Sequence, residues 1–178
     1  THNLKKIVDL GCGEGRLPLL ASYFFPKLEV IGVEVVKKRV EQAQKKMPHY
    51  SKSRLVLHDL YQAWPKVLQE ADAYFIYLPT GKILRHLLSK LSQLNKSFTL
   101  FAIESHGQLI HELVQDHPWL TLKDSFKLAQ DRHQPHLYVF KGKPSALKKQ
   151  AVNTKDLRFS HPSDRLFLDS LMNQEFIL

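Results

Sequence analysis

The chain has 178 residues, and 26 Lys and Arg against 17 Asp and Glu leave a formal charge of +9 with its ten histidines neutral. With 43% apolar and 24% charged residues it has the composition of a folded globular domain, which excludes wholesale disorder. The single cysteine, Cys12, excludes an internal disulfide framework and points to a reducing, cytoplasmic setting, and no apolar run reaches the roughly 18 residues of a membrane helix.

Thr1 stands only a few residues before the first apolar run, the pattern of a cropped or processed chain. From there, short β-rich apolar runs alternate with stretches at helical spacing, as a βαβ architecture requires. Lys6 to Leu10 reads as a strand. A glycine-rich turn follows it, then a helix with Leu17, Leu20, Ala21 and Phe24 on one face, closed at Pro26. Leu28 to Glu34 is the second strand, and Val36, Val40, Ala43 and Met47 mark a helix whose outer face carries Lys37, Lys38, Arg39, Lys45 and Lys46. Arg54 to Leu60 leads to a short helix around Trp64 to Leu68, and Ala73 to Leu78 is apolar enough for a central strand buried on both faces. Ile83, Leu84, Leu87, Leu88 and Leu91 form the clearest amphipathic helix, followed by a strand at Phe98 to Ile103 and a helix at Leu109 to Val114.

After Trp119 the alternation stops. Thr121 to Leu128 and His136 to Lys141 have no helical segment between them and read as an antiparallel hairpin, joined by a rim from Ala129 to Pro135. The fold expected is α/β: a Rossmann-like, doubly wound, seven-stranded sheet, mainly parallel, with a reversed last strand in that hairpin. Residues 1–144 make the domain, and residues 145–178 a basic tail with one short helix, started by Ser160 or Ser163, through Leu166, Phe167, Leu171 and Met172.

Chemistry concentrates in Asp9-Leu10-Gly11-Cys12-Gly13-Glu14-Gly15, where a strand runs into a glycine turn that opens a helix. The dinucleotide fingerprint wants a glycine at the sixth position, which here is Arg16, and no Gly-Lys-Ser/Thr follows Gly15 as a phosphate loop demands. NAD and nucleoside triphosphates are thereby disfavoured.

This segment resembles motif I of the class I S-adenosylmethionine-dependent methyltransferases, an acidic residue ahead of Gly-x-Gly-x-Gly. Ile31-Gly32-Val33-Glu34 is similar to the family's second mark, an acid closing the second strand about twenty residues on, and His58-Asp59-Leu60 to its third. The resemblance runs over roughly residues 6 to 142. It implies that the cofactor is S-adenosyl-L-methionine, bound by Asp9, Gly11, Cys12, Gly13, Gly15, Glu34, Asp59, Leu60 and Tyr77, with Glu34 on the ribose hydroxyls and Asp59 on the adenine amine. Asp9 doubles as a buried acid bonding loop amides, Asp59 competes with a helix-cap role, and Cys12 is read as a spacer.

In this family the methyl-transfer region follows the fourth strand, which implies Tyr77 and Thr80 as the catalytic residues. Tyr77-Leu78-Pro79-Thr80 lacks the leading Asn or Asp of enzymes that methylate nucleobase amines. Glu104 and His106 are second-rank bases. His133 and His136 are the nearest histidine pair and with Cys12 make no zinc set, so no metal is expected. Gly32-Val33-Glu34 and the non-nucleobase motif are similar to class I protein-lysine methyltransferases. The acceptor implied is therefore a protein side chain such as lysine. RNA, favoured by the +9 charge, a small molecule, or a non-catalytic scaffold docking through its basic helix are the alternatives. No membrane partner is expected, and the sequence does not indicate an oligomeric state.

Overall fold

The structure is a computed structural model and describes residues 4–79, 81–104, 116–128 and 135–144. Seven strands form one sheet: β1 (Lys6–Leu10), β2 (Glu29–Glu34), β3 (Arg54–Leu57), β4 (Ala73–Tyr77), β5 (Phe98–Glu104), β6 (Leu120–Lys127) and β7 (His136–Gly142). Between them lie α1 (Arg16–Phe24), α2 (Lys37–Lys46), α3 (Lys66–Gln69) and α4 (Gly81–Ser92). The strand order is β3-β2-β1-β4-β5-β7-β6. β1 to β5 pair in parallel, and β7 runs antiparallel to both β5 and β6. The expected doubly wound α/β sheet with its reversed strand is thus the one formed. Chain direction along the sheet reverses between β1 and β4, the place where open α/β sheets bind their ligands.

Register sorts the side chains into two faces. Ile31, Val8, Tyr74, Leu100 and Phe140 stand side by side across β2, β1, β4, β5 and β7 and are all fully buried. Against this row α4 lays Leu84, Leu87, Leu88 and Leu91, each at most 1% exposed. Burial of each such leucine contributes about 1.5–3 kcal/mol. Tyr74 keeps its hydroxyl satisfied inside this core by donating to Leu68 O at 2.8 Å, and meets Phe98 edge-on at 5.1 Å.

The opposite row is Gly32, Asp9, Phe75, Phe101 and Val139. Here α1 and α2 cover one end only. Val40 and Ala43 of α2 bury Leu55, and α1 is bedded on Gly32, where an added Cβ would come within 2.9 Å of Pro18 and 2.7 Å of the Cys12 sulfur. A side chain on residue 32 would lift α1 off the sheet.

Several expectations need correction. The stripe of α1 that meets the sheet is Pro18, Ala21 and Ser22, whereas Leu20 and Phe24 stand 54% and 71% exposed. β3 ends at Leu57, three residues early, because Asp59 turns the chain: its Oδ1 accepts from the Tyr61 amide and its carbonyl from that of Gln62. β4 ends at Tyr77 because Leu78 takes a φ of 45°, and its Phe75 is only half-buried, so the strand is fully covered on one face alone. The helix expected at Leu109 to Val114, most of the rim from Ala129 to Pro135 and the tail helix lie outside the described residues.

Candidate functional site

The carboxyl edge of the parallel strands gathers the singled-out residues. Asp9 is the penultimate residue of β1, Glu34 the last of β2, Asp59 follows β3, and Tyr77 is the last of β4. Each strand delivers one polar side chain to the same rim, at the point where strand order reverses.

In the glycine turn, Gly11, Gly13 and Gly15 have φ values of 87°, 55° and 70°, in the left-handed region that only glycine enters at little cost. Their surroundings differ. An added Cβ on Gly11 or Gly13 would meet nothing within 4 Å, while on Gly15 it would come to 3.0 Å from Leu55 and 3.1 Å from Ala43. The first two glycines border open space, and the third serves the close approach of β3 and α2.

The amides of this turn are already used. Gly11 and Cys12 donate to Val33 O at 3.0 and 2.9 Å, Gly15 to Cys12 O at 2.9 Å, and Gly13 to Glu34 Oε2 at 3.0 Å. A phosphate-binding turn must instead point such amides outward at an anion. Glu34 is 6% exposed, its Oε1 accepting from Val35 and Val36 at 3.1 and 2.9 Å with the Arg39 guanidinium 3.9 Å away. Asp9 is 4% exposed, and the turn amides just named end on Val33, Cys12 and Glu34, not on it. Burial first, and then the Glu34 charge, push its carboxyl up to about 7. Two buried acids behind a turn with its amides folded inward give the crevice a negative floor. Such a site attracts a cation and repels a pyrophosphate.

Cys12 is half-buried, and burial, then Asp9 and Glu34, push its thiol up to about 12. It stays protonated and is no nucleophile. Asp59 caps its own turn rather than a helix, since α3 begins after Pro65. Leu60 is half-buried, and its carbonyl holds the Trp64 indole at 3.1 Å and the His86 ring at 3.2 Å. Tyr77 is 60% exposed at the rim. Thr80 and His106 lie outside the described residues, as does His133; Glu104 ends β5, buried and opposite His136 of β7.

Two features escape the sequence reading. Leu78, the one described non-glycine residue with positive φ, is held there by its amide on Ile103 O at 2.8 Å, at a cost of about 1–2 kcal/mol. No signal in the sequence marks it, since leucine is a poor left-handed residue. His58 has its Nε2 buried without a hydrogen-bond partner, beside the turn that carries Asp59. A histidine ending an apolar strand is the signal that pointed to it. Among the described residues no group of three or more His, Cys, Asp or Glu is arranged to hold a metal ion, and no helix is long and apolar enough to cross a membrane.

These residues fit S-adenosylmethionine: open space over Gly11 and Gly13 for the donor, a carboxylate at the end of β2 for paired hydroxyls, and a negative floor for a sulfonium. The family model described as a methyltransferase domain matches residues 7–97. No curated protein matches the chain. Among solved structures, an N-methyltransferase NodS from Bradyrhizobium japonicum WM9 with S-adenosyl-L-homocysteine superposes at a TM-score of 0.62 and 11% identity, over 78% of each chain. The methyltransferase domain of bacterial CtHen1 gives 0.60 at 17% identity, over 79% of this chain and 91% of that one. A TehB-like methyltransferase from Corynebacterium glutamicum gives 0.58 at 18%, over 80% and 83%. At these identities the likeness is one of fold.

Proposed function

The chain belongs to the methyltransferase-domain family, as a class I S-adenosylmethionine-dependent enzyme, and on that premise we propose that it methylates an aliphatic amine, a lysine side chain of a protein. Glu34 would take the ribose hydroxyls, Asp59 the adenine amine, and Gly11 and Gly13 would let the donor lie against the backbone. Asp9 and Glu34 supply the negative field that draws the cation in and holds it. The cofactor brings a methyl already activated by its sulfonium, so these residues need chiefly to align donor and acceptor. Tyr77 would flank the transfer path, with Thr80 beside it.

One observation carries the choice of acceptor. Val35, Val36, Leu57, Tyr61 and Tyr77, each between 41% and 61% exposed, all stand at the carboxyl edge around the acidic floor. Such an apolar mouth accepts a hydrocarbon stem and, by stripping water from the ammonium at its end, lowers that amine's pKa toward the neutral nucleophile. A phosphate backbone gains little there. The basic face of α2, with Lys37, Lys38 and Arg39 exposed just beyond Glu34, favours RNA as the second reading. Residues 1–144 form the enzyme domain in this reading, with residues 145–178 as an extension.

The test is transfer of a labelled methyl group into cell lysate separated into protein, RNA and metabolites. Label is expected in protein, on lysine by mass spectrometry, at a rate that barely changes with salt. Label in RNA, falling steeply as salt is raised, overturns the acceptor and leaves the cofactor reading intact.

A further inference from the structure

Two apolar surfaces remain open on the face of the sheet that carries α1. Leu20, Tyr23 and Phe24 of α1 are 54%, 58% and 71% exposed, although the same helix is also apolar where Pro18 and Ala21 meet the sheet. A helix that is apolar all round is normally covered all round. Beyond α1, Phe75, Phe101 and Val139 lie in one register row on the same face as Gly32 and are only half-buried, and none of them joins the core under α4. No described element lies over this strip of β4, β5 and β7, beside α1.

We propose that residues 163–178 of this chain cover it as an amphipathic helix, packing on the strip and against α1. Within Ser163-Asp164-Arg165-Leu166-Phe167-Leu168-Asp169-Ser170-Leu171-Met172, the apolar side chains recur at three- and four-residue spacing and the acids fall between them. Topology puts the tail within reach. β7 ends at Gly142, opposite Phe98, the first residue of β5, so the chain leaves at the amino edge of the sheet. α1 runs back to that same edge, since β2 starts there in parallel with β1, and Tyr23 and Phe24 are at its end. From β7 to β2 is four strand spacings, about 19 Å. Residues 145–162 can span about 60 Å, so the tether is ample. This edge is opposite the rim that holds Asp9 and Glu34, so the docking does not close the cofactor crevice.

Hydroxyl-radical footprinting of the full chain, read by mass spectrometry, tests this with an internal standard. Tyr50 is 69% exposed, close to the 58% of Tyr23, so on a bare α1 the two would be modified alike. With the tail seated, Tyr23 and Phe24 are expected to react at least about threefold more slowly than Tyr50, independently of protein concentration. Leu171→Glu, and separately Phe167→Glu, should return Tyr23 to the rate of Tyr50 without changing the circular dichroism of the domain. Equal rates for Tyr23 and Tyr50 in the parent overturn the proposal. So does slow Tyr23 modification that dilution abolishes, which means a second copy, or that both tail variants leave untouched, which means another segment such as residues 105–115.

Discussion

The Gly13 amide donates to the Glu34 carboxylate at 3.0 Å, tying the glycine turn after β1 to the end of β2 across 21 positions of sequence. The same carboxylate accepts from Val35 and Val36, so it shapes the turn before any ligand arrives. Glu34→Ala is therefore expected to lower stability as well as cofactor binding, by about 2–3 kcal/mol, since it strands amides bonded to a buried charge. Glu34→Gln, which keeps one acceptor oxygen, should lose less. Thermal unfolding of the three proteins without cofactor checks the order; an unchanged Tm for Glu34→Ala would deny the carboxylate this structural part.

Asp9 makes the cofactor-free protein sensitive to pH. Its folded pKa is raised from 3.8 to about 7, so the folded chain holds a proton that the unfolded chain has released. The stabilisation is complete below about pH 4 and is lost as pH rises through about 7. Asp9→Asn, permanently neutral, should match the parent near pH 5 and exceed it in Tm near pH 8. A cationic donor favours the ionised acid, so binding at pH 6 to 7 is expected to release protons in the parent and not in the variant. Calorimetry in buffers of different ionisation enthalpy measures that release.

Gly32 has no room for a side chain, with Cys12 and Pro18 at 2.7 and 2.9 Å from where a Cβ would lie. Gly32→Ala should cost about 1–3 kcal/mol by displacing α1 and the turn together. Cys12→Ala removes the sulfur but leaves Pro18, so the double variant should recover only part of the loss. Denaturant unfolding of the four proteins gives the coupling directly.

The glycine turn, Glu34 and the strand alternation are legible in the sequence because each is local: residue type and spacing alone fix a left-handed turn or a period of two. The face α1 presents is not, because Leu20 and Phe24 make as good an apolar stripe as Pro18 and Ala21. What decides is the space over Gly32, on another strand. The early end of β3 is a contest between strand propensity and the turn Asp59 makes with Tyr61, which only geometry resolves. The left-handed Leu78 is imposed by its bond to Ile103 of β5 and leaves no trace in residue type.

Tyr77, 60% exposed at the rim, is placed to meet the acceptor rather than to hold the cofactor fold together. Tyr77→Ala is expected to lower kcat/KM for methyl transfer at least about tenfold while stability stays within about 0.5 kcal/mol, as for an exposed site. Steady-state kinetics with thermal unfolding of the same preparation separate the two; a loss of stability matching the loss of activity would make Tyr77 a packing residue.

The most direct measurement is calorimetric titration of the full chain with S-adenosylmethionine, and in parallel with NAD and ATP. One donor is expected to bind per chain, at least about tenfold more weakly to Glu34→Ala, in line with the loss of charged hydrogen bonds, and neither phosphate-bearing nucleotide should bind. No binding of S-adenosylmethionine by the folded chain, or binding of NAD or ATP in its place, would contradict the reading of this crevice.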